Sequence, residues 1–416
     1  MQKAPPSSPK LFLNRRAFLK QTSLASTAAA LAPAISLTRA AVSNDTIHIG
    51  VIGAGGRARG LMQVLTRIPK TKIIAVCDIY DAHLSAAKKI ADAGAFATHE
   101  YERLLERKDV DAVLIGSPDH WHVPMTIDAC AAGKDVYVEK PLTHSRDDGK
   151  TVVAAQDRYH RVVQVGTQQR SMPQFHKARR MIQEGVLGKI HKVHLTWNRN
   201  FLPFQKSVPS IRAEDLNWKK FLGAAPEQPF DAYRFRNWRW FWDFGGGILT
   251  DLMVHWLDGV NWLLDLGMPA AATTVGDHFA TKGVWETPDT IQTFLQYPDK
   301  GLQIYFEGTF VNARNRAMTE IMGENATLYL DRGRLELHPE SGRKLEPKEI
   351  VLGSGPRGAD FFKEPDGELL HLTDWLDAIR ARKKPSAPAE AGVLAAEAAH
   401  MANRAYREGR VVRRVA

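Results

Sequence analysis

The stretch TIHIGVIGAGGRARG, residues 46–60, limits the possible folds more than any other part of the chain. Ile47, Ile49, Val51 and Ile52 make a run suited to a buried strand, and Gly53-Ala54-Gly55 breaks it. Leu61, Leu65 and Ile68 then recur at helical spacing. A strand, a glycine turn and a helix in that order aim free backbone N–H groups and a positive dipole at one point. The glycines let a pyrophosphate come close to the main chain there. The pattern is G-x-G-x-x-A, with Ala58 in the third place, still small enough for close helix–strand packing. Gly53, Gly55, Gly56 and Arg57 are therefore candidate dinucleotide contacts. A second strand, KIIAVCD, ends at Asp78, where an acid can accept hydrogen bonds from the adenosine ribose hydroxyls. Ile79 and Tyr80 follow it, offering no cation for a 2′-phosphate, which favours NAD over NADP.

The alternation continues. YERLLERKDV reads as helix, DAVLIGS as strand, HVPMTIDACAAGK as helix and DVYVEKP as strand. Strands separated by helices of this length predict a doubly wound parallel sheet, an α/β Rossmann domain. Ligands of such sheets sit beyond the carboxyl ends of the strands. Two loops fall there, Ser117 to His122 and Glu139 to Pro141, so Ser117, His122, Glu139 and Lys140 join the candidate cofactor contacts. Cys77 and Cys130 both lie in segments read as buried, which argues against a disulfide scaffold. His120 and His122 form half of a metal-ligand spacing without further ligands nearby, so no metal is expected.

From residue 166 onward, short alternating runs such as HKVHLTWNRN, DTIQTFLQYP and GLQIYFEGTF predict an open, largely antiparallel sheet in a second α/β domain. The expected organisation is a leader over 1–42, a Rossmann domain over 43–165 and a substrate domain over 166–416. The final stretch from Glu368 to Arg407 reads as two helices packing back on the first domain. A long insertion carries Trp197, Trp218, Tyr233, Arg236, Trp238, Arg239, Trp240 and Trp242. Aromatic faces beside hydrogen-bonding groups suit a sugar, whose C–H faces stack while its hydroxyls are bonded. Trp197 is a candidate substrate contact on that ground, and Gln169 and Arg170, where the domain starts, are candidates to line the same site.

The segment GGGILTDLMVHWLD, residues 245–258, predicts a helix from Ile248 to Leu264. Its apolar residues share one broad face, and Asp251, His255 and Asp258 fall on the opposite stripe. Three preceding glycines, Gly245 to Gly247, point to close approach of a ligand or another backbone.

The Gly53 fingerprint, the loop ending at His122, EKP at 139–141 and the Asp251…His255 segment occur in an order that resembles the glucose–fructose oxidoreductase, inositol dehydrogenase and rhizopine-catabolism (Gfo/Idh/MocA) family. The resemblance covers nearly all of the chain after residue 42. It implies nicotinamide-dependent oxidation of a secondary hydroxyl on a sugar, cyclitol or glycoside, and a homo-oligomer, dimer or tetramer. By that resemblance Lys140 positions the hydroxyl, Asp251 orients the substrate, and His122 lies near the nicotinamide. His255 is the general base, since the ordinary histidine pKa of about 6.5 suits proton removal near neutrality. Asp119 stands where relatives often carry Asn.

The first 42 residues contain Arg15-Arg16, then Phe18-Leu19-Lys20, an Ala-rich apolar run and no acid. They resemble a twin-arginine signal, which exports folded proteins. Without those residues and their six Lys and Arg, the formal charge falls from +10 to +4, a balance that gives no footprint for nucleic acid. Export of a folded chain to the periplasm would let it leave with NAD already tightly bound. A captive cofactor must be regenerated on the protein. That condition suits either paired oxidation and reduction of two sugars or a redox-neutral glycoside cleavage through a keto intermediate. A sugar-binding protein without turnover is the reading of a different class.

Overall fold

A computed structural model of the chain describes residues 45–208, 210–345, 349–351, 357–358 and 366–414. The leader expected over 1–42 lies outside them. The unit from Thr46 onward holds two sheets. The first half runs β1 (Ile47–Ile52), α1 (Gly56–Leu65), β2 (Thr71–Cys77), α2 (Asp81–Lys88), β3 (Phe96–Thr98) and α3 (Tyr101–Leu105). It continues through β4 (Ala112–Ile115), α4 (Asp119–Ala131), β5 (Asp135–Val138), α5 (Asp148–Tyr159) and β6 (Val163–Val165). The six strands pair in the order β3-β2-β1-β4-β5-β6, all parallel. The order reverses beside β1, so the crevice above its carboxyl end is the topological switch point where such sheets bind ligands. β4 and β5 are buried at every residue, the pattern of strands covered on both faces by helices.

The second half contains α6 (Pro173–Gln183), β7 (Ile190–Asn198), α7 (Trp218–Leu222), α8 (Ala232–Arg236) and α9 (Val254–Leu264). Strands β8 (Ala271–Asp277), β9 (Thr290–Tyr297), β10 (Leu302–Thr309) and β11 (Ala317–Gly323) follow. After β12 (Ala326–Leu330), β13 (Arg334–Pro339) and β14 (Glu349–Val351) come α10 (Gly367–Ala381), α11 (Ala389–Glu408) and β15 (Val412–Arg413). Nine strands make one open sheet, β14-β13-β12-β11-β7-β10-β9-β8-β15, antiparallel except where β7 meets β10. One face packs on α9 through Leu195, Trp197, Trp256, Ile304 and Phe306, while Val275 and Phe294 stand exposed.

The closing helices divide their packing. α10 sinks Leu372, Trp375 and Leu376 into the core around β1 and α1. α11 begins on the Rossmann side with Ala389 but places Ala398, Ala399, Ala402 and Ala405 in the core of the second sheet. The small residues let α11 lie close against both halves. Cys77 and Cys130 are buried free thiols, pushed up by burial, Cys130 to about 12. No helix among the described residues is long and apolar enough to cross a membrane.

Candidate active site

The glycine turn after β1 has the geometry a dinucleotide needs. Gly53 sits at φ +76°, and a Cβ there would lie 2.5 Å from the Ser117 backbone nitrogen, so the two strand-end loops touch main chain to main chain. A Cβ on Gly56 would meet nothing within 4 Å, and one on Gly55 only the edge of His83 at 3.9 Å. The start of α1 thus faces open space, where its free N–H groups can meet an anion. The cleft has a volume of about 330 Å³ and is lined by these glycines, Arg57, Asp78 and Ser117. The Ser117 hydroxyl is buried without a hydrogen-bond partner, and Asp78 offers a carboxylate that takes the Tyr80 N–H. These features fit a dinucleotide: an open helix end for the pyrophosphate and a strand-end acid for a ribose.

Below the cleft, charges alternate. The Arg57 Nε donates to Glu139 Oε1 at 2.8 Å, and its guanidinium also pairs with Glu368 at the start of α10. Burial would raise the Glu139 carboxyl, but Arg57 and Lys140 outweigh it and hold the group below its usual range. Lys140 Nζ donates to Asp251 Oδ1 and to the Asp251 carbonyl, both at 2.7 Å. Arg239 Nε reaches the same Oδ1 at 3.1 Å. Burial opposes ionisation of Asp251, yet Lys140 and Arg239 keep it well below the carboxylate range. Asp119, in the first turn of α4, is 3% exposed, and burial drives its carboxyl well above the ordinary value. His122 is a strap between loops: Nδ1 lies 2.6 Å from the Pro141 carbonyl and Nε2 2.9 Å from that of Ser117. Burial pushes it down to about 4 despite both contacts.

His255 lies one turn beyond Asp251. Its ring centroid is 5.3 Å from that of Trp197, and its Nδ1 is buried with no partner. Burial, then the charges of Lys140, Arg332, Arg57 and Arg199, holds it well below the ordinary histidine value, so the ring is neutral and can accept a proton. Instead of the single α-helix expected from Ile248, Leu249–Met253 forms a π-helical turn before α9. The wider turn changes the phase between Asp251 and the residues after it.

That phase matters for Asp258, which sequence spacing groups with Asp251 and His255. The structure buries Asp258 completely and pairs it with Arg170 Nε at 2.8 Å. Arg170, a candidate substrate contact, therefore has its charge committed to the α9 anchor and to the Ser386 carbonyl. Gln169 is fully buried with both polar side-chain atoms unpartnered, beside Gly259. Trp197 is also buried and walls the His255 ring. The triple glycine serves close packing: a Cβ on Gly245 would come 2.9 Å from the Arg239 Cα, and one on Gly247, at φ +65°, 2.7 Å from the Thr287 Cβ. It holds the Arg239 segment against the start of the Asp251 turn.

Much of the aromatic insertion roofs the dinucleotide cleft. Phe221, Phe235, Arg236, Trp238 and Arg239 line it, backed by a small core of Leu216, Phe221, Phe235, Phe241 and Phe244. Glu368 is a candidate site residue that no motif marks, since it depends on a contact with Arg57 311 residues away, whereas Arg239, named within the insertion, meets Asp251 12 residues on. Among the described residues no group of three or more His, Cys, Asp or Glu could hold a metal ion.

Comparison with known proteins places this geometry. Residues 47–167 match the model of the oxidoreductase family with an NAD-binding Rossmann fold, and residues 175–329 match the GFO/IDH/MocA C-terminal domain. An uncharacterized oxidoreductase, YrbE of Bacillus subtilis, is 34% identical over 152 residues, covering 36% of this chain and 44% of that protein. A glycosyl hydrolase family 109 protein of Saccharopolyspora erythraea is 30% identical over 157 residues, 36% of this chain and 34% of that one. The chain thus spans less than half the length of these curated relatives. Among solved structures, levoglucosan dehydrogenase in complex with NADH and levoglucosan has a TM-score of 0.70 at 18% identity, covering 88% of this chain and 99% of that one. The WlbA dehydrogenase of Bordetella pertussis, in complex with NADH and UDP-GlcNAcA, has a TM-score of 0.67 at 19% identity over 89% and 99%. At such identities the likeness is one of fold. With its Rossmann half and its C-terminal half each matched by the family's own model, the chain belongs to the Gfo/Idh/MocA oxidoreductase family.

Proposed function

We propose that the chain oxidises a secondary hydroxyl of a sugar, cyclitol or glycoside with NAD. Bound NAD would supply the hydride acceptor, held by the turn at Gly53, Gly55 and Gly56 and by Asp78. The observation that carries the reading is a neutral His255 with an unpartnered Nδ1, beside the Lys140–Asp251 pair. His255 takes the hydroxyl proton as the C–H bond breaks. Lys140 stabilises the negative charge that develops on the oxygen, and Asp251 keeps the ammonium aimed at it. Replacing His255 by Asn or Lys140 by Met should lower turnover by roughly 10²-fold or more, far more than it alters NAD affinity. Unchanged turnover would remove that residue from the mechanism.

A second reading has support in the family 109 glycosyl hydrolases among the relatives. In it the hydroxyl is oxidised, the neighbouring C–H gives up its proton as the glycosidic group leaves, water adds to the unsaturated ketone so formed, and the hydride is returned to the carbonyl carbon. The twin-arginine pattern at Arg15-Arg16 supports export with a captive cofactor, and hence a reaction of this redox-neutral kind. The test is to produce residues 43–416 in the cytoplasm, purify them without added nucleotide and identify what denaturation releases. Near-stoichiometric NAD(H) supports the captive cofactor, and an empty protein supports an ordinary dehydrogenase. Fusing residues 1–42 to a folded reporter tests export directly. Exposed Val275, Phe279 and Phe294 support a homo-oligomer, dimer or tetramer, which light scattering would size.

A further inference from the structure

Past β7 the chain continues in a row that leads from His255 to the surface. Trp197 stands against the His255 ring, and Arg199 lies over the Trp197 indole, 5.5 Å from its centroid. Phe201 comes two residues later, 43% exposed. In an extended segment such residues share one face. The main chain stays tied to the end of β10 through this stretch, Arg199 N–H donating to the Thr309 carbonyl at 2.7 Å and Phe201 N–H to the Phe310 carbonyl at 2.9 Å, with a slipped register and an antiparallel Asn200–Val311 bridge. At about 3.3 Å per residue the row from Trp197 to Phe201 spans about 13 Å, more than the length of one sugar ring.

Phe201 is not a stray surface residue. Its inner face stacks on Phe310 with ring centroids 4.7 Å apart and an angle of 8°. Phe310 is 3% exposed and packs edge-on to Trp240 at 5.0 Å and Trp285 at 5.8 Å, themselves stacked at 4.5 Å. Phe204 closes the loop by packing edge-on to Trp285 at 4.9 Å. The ring is thus held rigid from behind while its outer face, next to Leu202 at 49% exposure, stays open to water. Stacking on Phe310 buries one face of Phe201 and leaves the other in water, and a flat apolar face held in that way suits the C–H face of a pyranose.

We propose that Phe201, backed by Phe310, is a stacking subsite for a second sugar ring, so that the substrate is a glycoside of at least two rings with the oxidised ring at His255. This inference rests on the carbohydrate reading of the site. The test uses the full chain with NAD and measures binding of gluco-, galacto- and manno-configured disaccharides beside their constituent monosaccharides by calorimetry, with Phe201→Ala and Phe201→Trp variants. At least one disaccharide should bind about tenfold more tightly than its monosaccharide. Phe201→Ala should erase that advantage and leave monosaccharide affinity unchanged, and Phe201→Trp should keep it. A disaccharide advantage that survives Phe201→Ala, or no advantage in the parent chain, overturns the subsite alone. Failure of every mono- and disaccharide to bind overturns the carbohydrate reading and the subsite with it. The folded state of each variant is checked by its unfolding midpoint, which should move little for a residue with one face in water.

Discussion

Replacing Asp251 by Asn keeps the shape of the side chain and deletes one charge. Lys140 and Asp251 have side chains only 10% and 16% exposed, so the deletion leaves an ammonium in a poorly hydrated place. Orphaning one partner of a buried pair costs about 3–5 kcal/mol. Two features lower the figure here. The Asp251 backbone carbonyl still accepts from Lys140 at 2.7 Å, and the new amide oxygen can accept as well. The expected loss of stability is therefore about 2–3 kcal/mol. Urea unfolding followed by tryptophan fluorescence would show it as an earlier first transition, the appropriate measure for a two-domain chain. Adding Lys140→Met to Asp251→Asn should recover most of the loss, because the more buried of the two orphaned cations is then gone and Arg239, 36% exposed, stays hydrated. The pH dependence gives a further check. The native carboxyl is held below its unfolded value of about 3.9, so its stabilisation is complete above that pH and fades as pH falls towards the native value. The gap between parent and variant should be flat from pH 8 to 5. Below about pH 3.9 it should shrink by about 1.4 kcal/mol per pH unit, as far down as both stay folded. Coincident midpoints at pH 7, or no recovery in the double variant, would refute the argument.

Other outcomes follow from the same geometry. Gly53→Ala should abolish NAD binding in a calorimetric titration, since the Cβ would strike the Ser117 backbone at 2.5 Å and φ is positive; an unchanged affinity sinks the steric account. The acid limb of kcat/KM should fall below the ordinary histidine value of about 6.5, because burial and then Lys140, Arg332, Arg57 and Arg199 disfavour protonated His255; a limb at or above that value contradicts a buried neutral base. Trp375→Ala should cost about 3–5 kcal/mol, since the indole is fully buried between α10 and the Rossmann core. Hydrogen exchange would locate that loss in α10 and α1, and uniform loosening of the whole chain would argue against a local dock.

How much of this could be read from sequence depends on the range of the interaction. The glycine turn, Asp78 and the strand-end loops were legible because each feature is set by a few neighbouring residues. The Asp251–His255 segment was half legible. A period of 3.6 puts Asp258 on the same stripe, but the π-turn shifts the phase, and Arg170, 88 residues earlier, claims Asp258 for the core. Composition does not tell which aromatics of the insertion are core and which face a ligand; Phe221, Phe235 and Phe244 pack on one another as a local core, and Trp238 lines the dinucleotide cleft. Nothing local announces Glu368, whose partner Arg57 lies 311 residues away.

Through that long-range pair α10 belongs to the candidate site as well as to the scaffold. From Glu368 through Arg57, Glu139, Lys140 and Asp251 to Arg239, negative and positive groups alternate across four separate stretches of chain. Each interior member is flanked by two opposite charges, through direct pairing or, between Glu139 and Lys140, through sequence adjacency. A charge buried alone is penalised, and pairing within the row offsets that penalty for its buried members. In the proposed reaction a proton leaving a hydroxyl beside Lys140 meets a row already balanced, and the buried Nδ1 of the neutral His255 ring has no partner. In that proposed reaction the two tasks are separate: the charged row would fix position and stabilise the oxygen, while burial holds His255 uncharged.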